Sequence, residues 1–110
     1  KGKSGDTFGP TGPYLVTKDE LNDVQNLSMS LDIDGKRMQT GNTKKMIFNM
    51  NFILSYLSNF MSLQPGDIVT TGTPPGVGAG MNPKQFLKAG NKLNLKIEFL
   101  GEQNSTVVAE

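Results

Sequence analysis

The chain has 110 residues, 11 basic and 10 acidic side chains for a net charge of +1, and neither cysteine nor histidine. One small domain is the most this length admits; thiol nucleophiles, disulfides and thiolate or imidazole metal sites are excluded, and the balanced charge gives no footprint for nucleic acid or anionic lipid. Apolar residues make up only 35% of the chain, so it is expected to lean on further protein, and with no apolar run near the roughly 18 residues of a membrane span it is expected to be soluble and cytoplasmic.

The opening Lys1-Gly2-Lys3-Ser4-Gly5-Asp6-Thr7-Phe8-Gly9-Pro10 places amines, a carboxylate and two hydroxyls ahead of any core-forming run. Residues 14–16 then predict a short strand, and Thr17 with Glu20 has capping-box spacing for a helical turn over 18–23. From Leu27 the pattern alternates, with Leu27, Met29, Leu31 and Ile33 on one face and Ser28, Ser30, Asp32 and Asp34 on the other, which predicts a half-buried strand. Asp34-Gly35 is a type I′ hairpin signal that returns 36–40 antiparallel beside it. Asn42, Thr43 and Lys44 read as a polar turn or as site residues.

Asn49 predicts the cap of a helix running through about Met61. Asn51, Ser55, Ser58 and Ser62 form one polar stripe on it, and the apolar remainder is expected to be buried between a sheet and a second surface. Gln64-Pro65-Gly66-Asp67 is a turn into a strand at 68–71. A Pro/Gly-rich loop follows over 73–80, then a short helix with Asn82 as cap, Pro83 at its first position and Gly90 as its stop. The alternating stretch 92–100 predicts a strand, paired with 105–109 across a turn at 101–104. Together these elements predict an α+β fold, mostly β and mostly antiparallel.

Two segments carry candidate chemistry. Thr71-Gly72-Thr73 places two hydroxyls around a glycine at a strand end, where they can donate to a ligand carboxylate while Gly72 lets the backbone approach closely. Gly76, Gly78 and Gly80 lack the Lys-Ser/Thr of a nucleotide P-loop, and Met81 stands where a dinucleotide fingerprint needs glycine. The plain alternative is a tight loop at positive φ. Lys3, Asp6 and Thr7 form the second cluster, either a solvated loop or a site in which Lys3 stabilises an enolate or oxyanion and Thr7 hydrogen-bonds a carboxylate or a metal-bound water. Asp32 and Asp34 are read as a solvated strand face rather than a cation site.

The ordered set Lys3-Ser4-Gly5-Asp6-Thr7-Phe8-Gly9-Pro10-Thr11-Gly12-Pro13, Gly41-Asn42-Thr43, Met46-Ile47-Phe48, Leu63-Gln64-Pro65-Gly66-Asp67-Ile68-Val69, Thr71-Gly72-Thr73-Pro74, Gly76-Val77-Gly78 and Phe86-Leu87-Lys88-Ala89-Gly90 resembles the fumarylacetoacetate hydrolase family over essentially all 110 residues. The resemblance implies a mixed β-roll, of which residues 1–110 would be a single partial catalytic domain, its C-terminal half. It also implies a divalent metal, Mg2+ or Mn2+, held by two glutamates and an aspartate that lie upstream of Lys1 in the family pattern. On the same footing Lys3 matches the catalytic lysine, Thr7 the threonine beside the metal, and Thr73, with Gly72, the contact to the substrate carboxylate. Position 5 is glycine where family members often carry a larger side chain.

The activity so implied is hydrolytic C–C cleavage of a 2-oxo acid, or of a 2-hydroxy-dienoic diacid, through an enolate, by a homodimer without nucleic-acid or membrane partners. Isomerisation or decarboxylation of a 2-hydroxyhepta-2,4-diene-1,7-dioate type of intermediate is the alternative within the family. A noncatalytic binding or dimerisation module is the alternative outside it.

Overall fold

Alternation from Leu27 builds β1 (Ser28–Ile33), and Asp34-Gly35 folds the chain back as β2 (Lys36–Asn42). In the computed structural model, which describes residues 5–109, both turn residues lie at positive φ, 50° for Asp34 and 77° for Gly35, as a type I′ hairpin requires. β3 (Lys92–Ile97) pairs with the other side of β1, and β4 (Gly101–Thr106) pairs with β3. The result is a four-stranded antiparallel sheet in the order β2-β1-β3-β4. The α+β, mostly β and mostly antiparallel expectation is what the chain adopts.

The β1–β2 ladder carries one irregularity. Leu31 faces Gln39 but Asp32 faces Arg37, so Met38 is an extra residue on β2, a β-bulge.

α1 (Met50–Ser58) begins where Asn49 places it: the Asn49 Oδ1 accepts from the Phe52 amide at 2.8 Å. The helix stops short of Met61 because the Ser58 hydroxyl and the Asn59 side-chain amide both donate to the Ser55 carbonyl, at 2.8 and 3.0 Å. The Asn59 amide then bonds one residue short, to Tyr56, at 3.2 Å. Burial of this helix is not met among the described residues. Phe52 is 49% exposed, Tyr56 55% and Phe60 68%, and their rings, with Phe48, form a row with centroids 4.8, 6.1 and 5.0 Å apart.

Four further expectations are corrected. Residues 14–16 form no strand: Tyr14 instead lies across the sheet with its hydroxyl against Gly101, where an added Cβ would come within 2.5 Å of it. The turn at 64–67 is present, with the Asp67 carboxylate accepting from the Gln64 amide at 2.7 Å, but 68–71 finds no strand partner among the described residues. The helix expected after Asn82 is absent, because the chain runs back over Gly78: the Gln85 amide donates to the Gly78 carbonyl at 3.0 Å. The last hairpin turns at 98–100 rather than 101–104, since Phe99 takes φ 63° and the Leu100 amide reaches the Ile97 carbonyl at 3.0 Å.

The interior at the sheet's end is mostly polar. Among the described residues Leu27 is the one buried large apolar side chain, and Thr43 and Gln39 are the buried polar ones. The Thr43 hydroxyl accepts from the Leu27 amide and donates to the Val24 carbonyl, at 2.8 and 2.9 Å. Gln25 donates to the Thr43 carbonyl at 2.6 Å and accepts from the Met50 amide at 3.0 Å, which ties the start of α1 to the sheet.

Candidate functional site: the Thr73 loop on the bulged strand

Thr73 precedes a proline, which biases it to extended backbone, and it follows Gly72 at φ 93°, where no heavy atom lies within 4 Å of an added Cβ. The loop therefore presents bare backbone and an exposed threonine side by side. It is fastened to β2 at three points. Gln39, 8% exposed, donates through Nε2 to the Thr73 hydroxyl oxygen at 2.9 Å and to the Pro74 carbonyl at 2.6 Å. Gly41 lies beneath Pro74, so close that a Cβ would stand 2.7 Å from the proline's own. Gly76, at φ 110°, lies against the carbonyl of the bulged Met38.

Gln39 is the functional candidate that sequence reading missed. Its signal was weak, a polar residue in a strand expected to return beside β1, and its partners are 34 and 35 positions away.

Lys3 lies outside the described residues. Thr7 is exposed and holds φ 66°, a left-handed conformation uncommon for a β-branched residue, the kind of backbone outlier that clusters at functional sites. No hydrogen bond joins it to the Thr73 loop among the described residues.

The other polar clusters are structural. Asn42 caps the helical turn Thr43–Lys45 by accepting from the Lys44 amide at 2.9 Å. Asp34 accepts from the Asn91 side chain at 2.7 Å and the Lys92 amide at 2.8 Å. Asp32 pairs with Arg37, whose hydrogen bond holds the Asp32 carboxyl below the usual carboxylate range. No group of three or more acidic, cysteine or histidine side chains is placed to hold a metal ion among the described residues, so they do not by themselves form a metal centre. No helix among them is long and apolar enough to cross a membrane.

Among the described residues, a four-stranded antiparallel sheet, one α-helix and a Gly/Thr/Pro loop clamped to the edge strand define a β-rich α+β fold. The chain belongs to the fumarylacetoacetate hydrolase family: the profile described as fumarylacetoacetate (FAA) hydrolase, C-terminal, matches residues 1–108. Among curated relatives, a Burkholderia lata protein provisionally named a hydrolase is 58% identical over 104 residues, which cover 94% of this chain and 37% of that protein. Among solved structures, the fumarylacetoacetate hydrolase of Exiguobacterium antarcticum has a TM-score of 0.94 at 38% identity, covering 99% of this chain and 39% of that one. The maleylpyruvate hydrolase of Sphingobium sp. SYK-6, solved with manganese(II) and pyruvate, has a TM-score of 0.85 at 36% identity over 94% of this chain and 36% of that one. The 2-hydroxyhepta-2,4-diene-1,7-dioate isomerase of Mycobacterium marinum has a TM-score of 0.81 at 32% identity over 94% and 37%. The chain thus spans a little over a third of the length of each, and the family joins hydrolases and isomerases on this fold.

Proposed function

We propose that this chain forms the carboxylate-binding part of a divalent-metal-dependent enzyme that cleaves a C–C bond in a 2-oxo acid or 2-hydroxy-dienoic diacid. The clamped Thr73 loop carries this reading: an exposed threonine beside an open glycine, held in place by a buried amide, suits a planar carboxylate that arrives from solvent. The manganese- and pyruvate-bound relative supports the substrate class and the metal. Mg2+ or Mn2+ belongs to this proposal with ligands outside the described residues, and so does the homodimer, for which the uncovered aromatic row of α1 offers a surface.

In this reading Thr73 donates its hydroxyl proton to the substrate carboxylate and Gly72 leaves room for it. Lys3 supplies a positive charge where negative charge develops on the substrate oxygen, a role worth several kcal/mol when the group is preorganised. Thr7 would stand beside the metal, as the family resemblance implies. An isomerase reading has its own support in the relatives named for that reaction, and the fate of the substrate separates the two.

The test of the loop's role is Thr73→Val in the intact protein. Loss of a hydrogen bond to a charged group is worth about 1.5–3 kcal/mol, so KM for an acylpyruvate is expected to rise about tenfold or more with the fold retained, although the variant also removes the acceptor of one Gln39 hydrogen bond and loses some stability. An unchanged KM would contradict the assignment.

A further inference from the structure

Gln39 does more than hold a loop. The Pro74 carbonyl can only accept, so it fixes the Gln39 amide with its NH2 group toward the loop, and that same nitrogen stands 2.9 Å from the Thr73 hydroxyl oxygen. The hydroxyl is thereby supplied with a donor, and its own proton is left to point elsewhere. Thr73 is exposed while Gln39 is buried, so the side of the residue away from Gln39 is open to an arriving ligand that could accept that proton.

Strand irregularity at Met38 is part of the same device. A bulge bends its strand and re-aims the side chains beside it, and here it immediately precedes Gln39 and turns the Met38 carbonyl against Gly76. Gly41 and Gly76 then allow the loop to lie close enough on either side for the amide to span to it.

We propose that Gln39 is a positioning residue that sets the polarity of Thr73, taking up the hydroxyl's acceptor side so that the hydroxyl donates to an anionic ligand group. The proposal rests on the reading of Thr73 as the carboxylate contact. It follows that the bulge and the two glycines are there to deliver the amide rather than only to shape the strand edge. A carboxylate at position 39 would reverse the arrangement, accepting the Thr73 proton and placing negative charge behind the ligand.

Pyruvate is the probe, with affinity measured by calorimetry on the intact protein for wild type, Thr73→Val, Gln39→Met, Gln39→Glu and the Thr73→Val/Gln39→Met double variant. Gln39→Met is expected to weaken pyruvate binding about tenfold, as for one lost charge-assisted contact. Gln39→Glu is expected to weaken it further, although it is nearly the same shape. The double variant should be no weaker than Thr73→Val alone, because both changes remove one donor; a merely structural role would instead add its loss. If Thr73→Val weakens binding and Gln39→Glu does not, the positioning role is overturned while the Thr73 reading stands. If Thr73→Val itself has no effect, the reading beneath it has failed. Should Gln39→Met not fold, Gln39→Glu and the Thr73→Val/Gln39→Glu double variant take its place: a loss that adds to that of Thr73→Val marks the Pro74 anchor alone and overturns the positioning role, and one that does not add supports it.

Discussion

Gly76 lies at φ 110°, and a Cβ built there would stand 2.1 Å from the Met38 carbonyl oxygen and 3.1 Å from the Gln39 side chain. Gly72 has a similar backbone, φ 93°, but open space around it. The two positions separate conformational cost from steric cost. Alanine at Gly72 should destabilise the intact protein by roughly 1–2 kcal/mol, the cost of left-handed backbone for a residue with a side chain. At Gly76 it should cost about 1–3 kcal/mol more, because the loop must lift from β2. Denaturant midpoints of the two variants check this, and equal losses would contradict the close packing of loop on strand. The loop's make-up is legible in sequence, as hydroxyls around a glycine before a proline, and reading it as a ligand contact is part of the proposal. The amide behind it was not legible, because nothing local marks a glutamine in a strand as the partner of a threonine 34 residues later.

At the level of elements, the β1–β2 hairpin was readable because its determinants are adjacent: alternation sets the faces and Asp34-Gly35 sets the turn. The bulge at Met38 was not, since no residue type near it marks an extra position in the strand. The segment after Asn82 shows the opposite failure. Cap, first-turn proline and stop glycine were all present, yet a tertiary bond from the Gln85 amide to Gly78 outweighed them. The bulge also brings Arg37 opposite Asp32, and their hydrogen bond lowers the Asp32 carboxyl below its ordinary value. A depressed folded-state value adds stability above the unfolded-state pKa, and that contribution is lost as pH falls through the folded one. Arg37 is exposed and Asp32 only half-buried, so the pair is expected to register in titration more than in stability. An NMR titration should find the Asp32 carboxyl moving upward in Arg37→Met, and no movement would show that the pair does not form.

Taken whole, the chain exposes 8,923 Å², against roughly 6,000 Å² for a folded monomeric protein of this mass. Its radius of gyration is 15.3 Å, where about 13 Å is usual for the length. Part of the exposed apolar surface lies in the aromatic row of α1 and in the unpaired run with Ile68 73% exposed. Composition had anticipated a chain that leans on other protein, and the apolar helix had called for cover on more than one side; which surfaces supply it was not legible, because hydrophobicity specifies that a face is covered and not by what. The same holds for the chemistry. In the proposed reading the Thr73 loop is one part of a site to which a metal and Lys3 would contribute the rest.

The most direct test of that account is to incubate the intact protein with an acylpyruvate and follow pyruvate release together with loss of diene absorbance from a 2-hydroxy-dienoic diacid. The account predicts pyruvate release that a chelator abolishes and Mg2+ or Mn2+ restores. Diene loss without pyruvate would move the protein to the isomerase side of its family, and turnover of neither substrate in the presence of metal would contradict the enzymatic reading altogether.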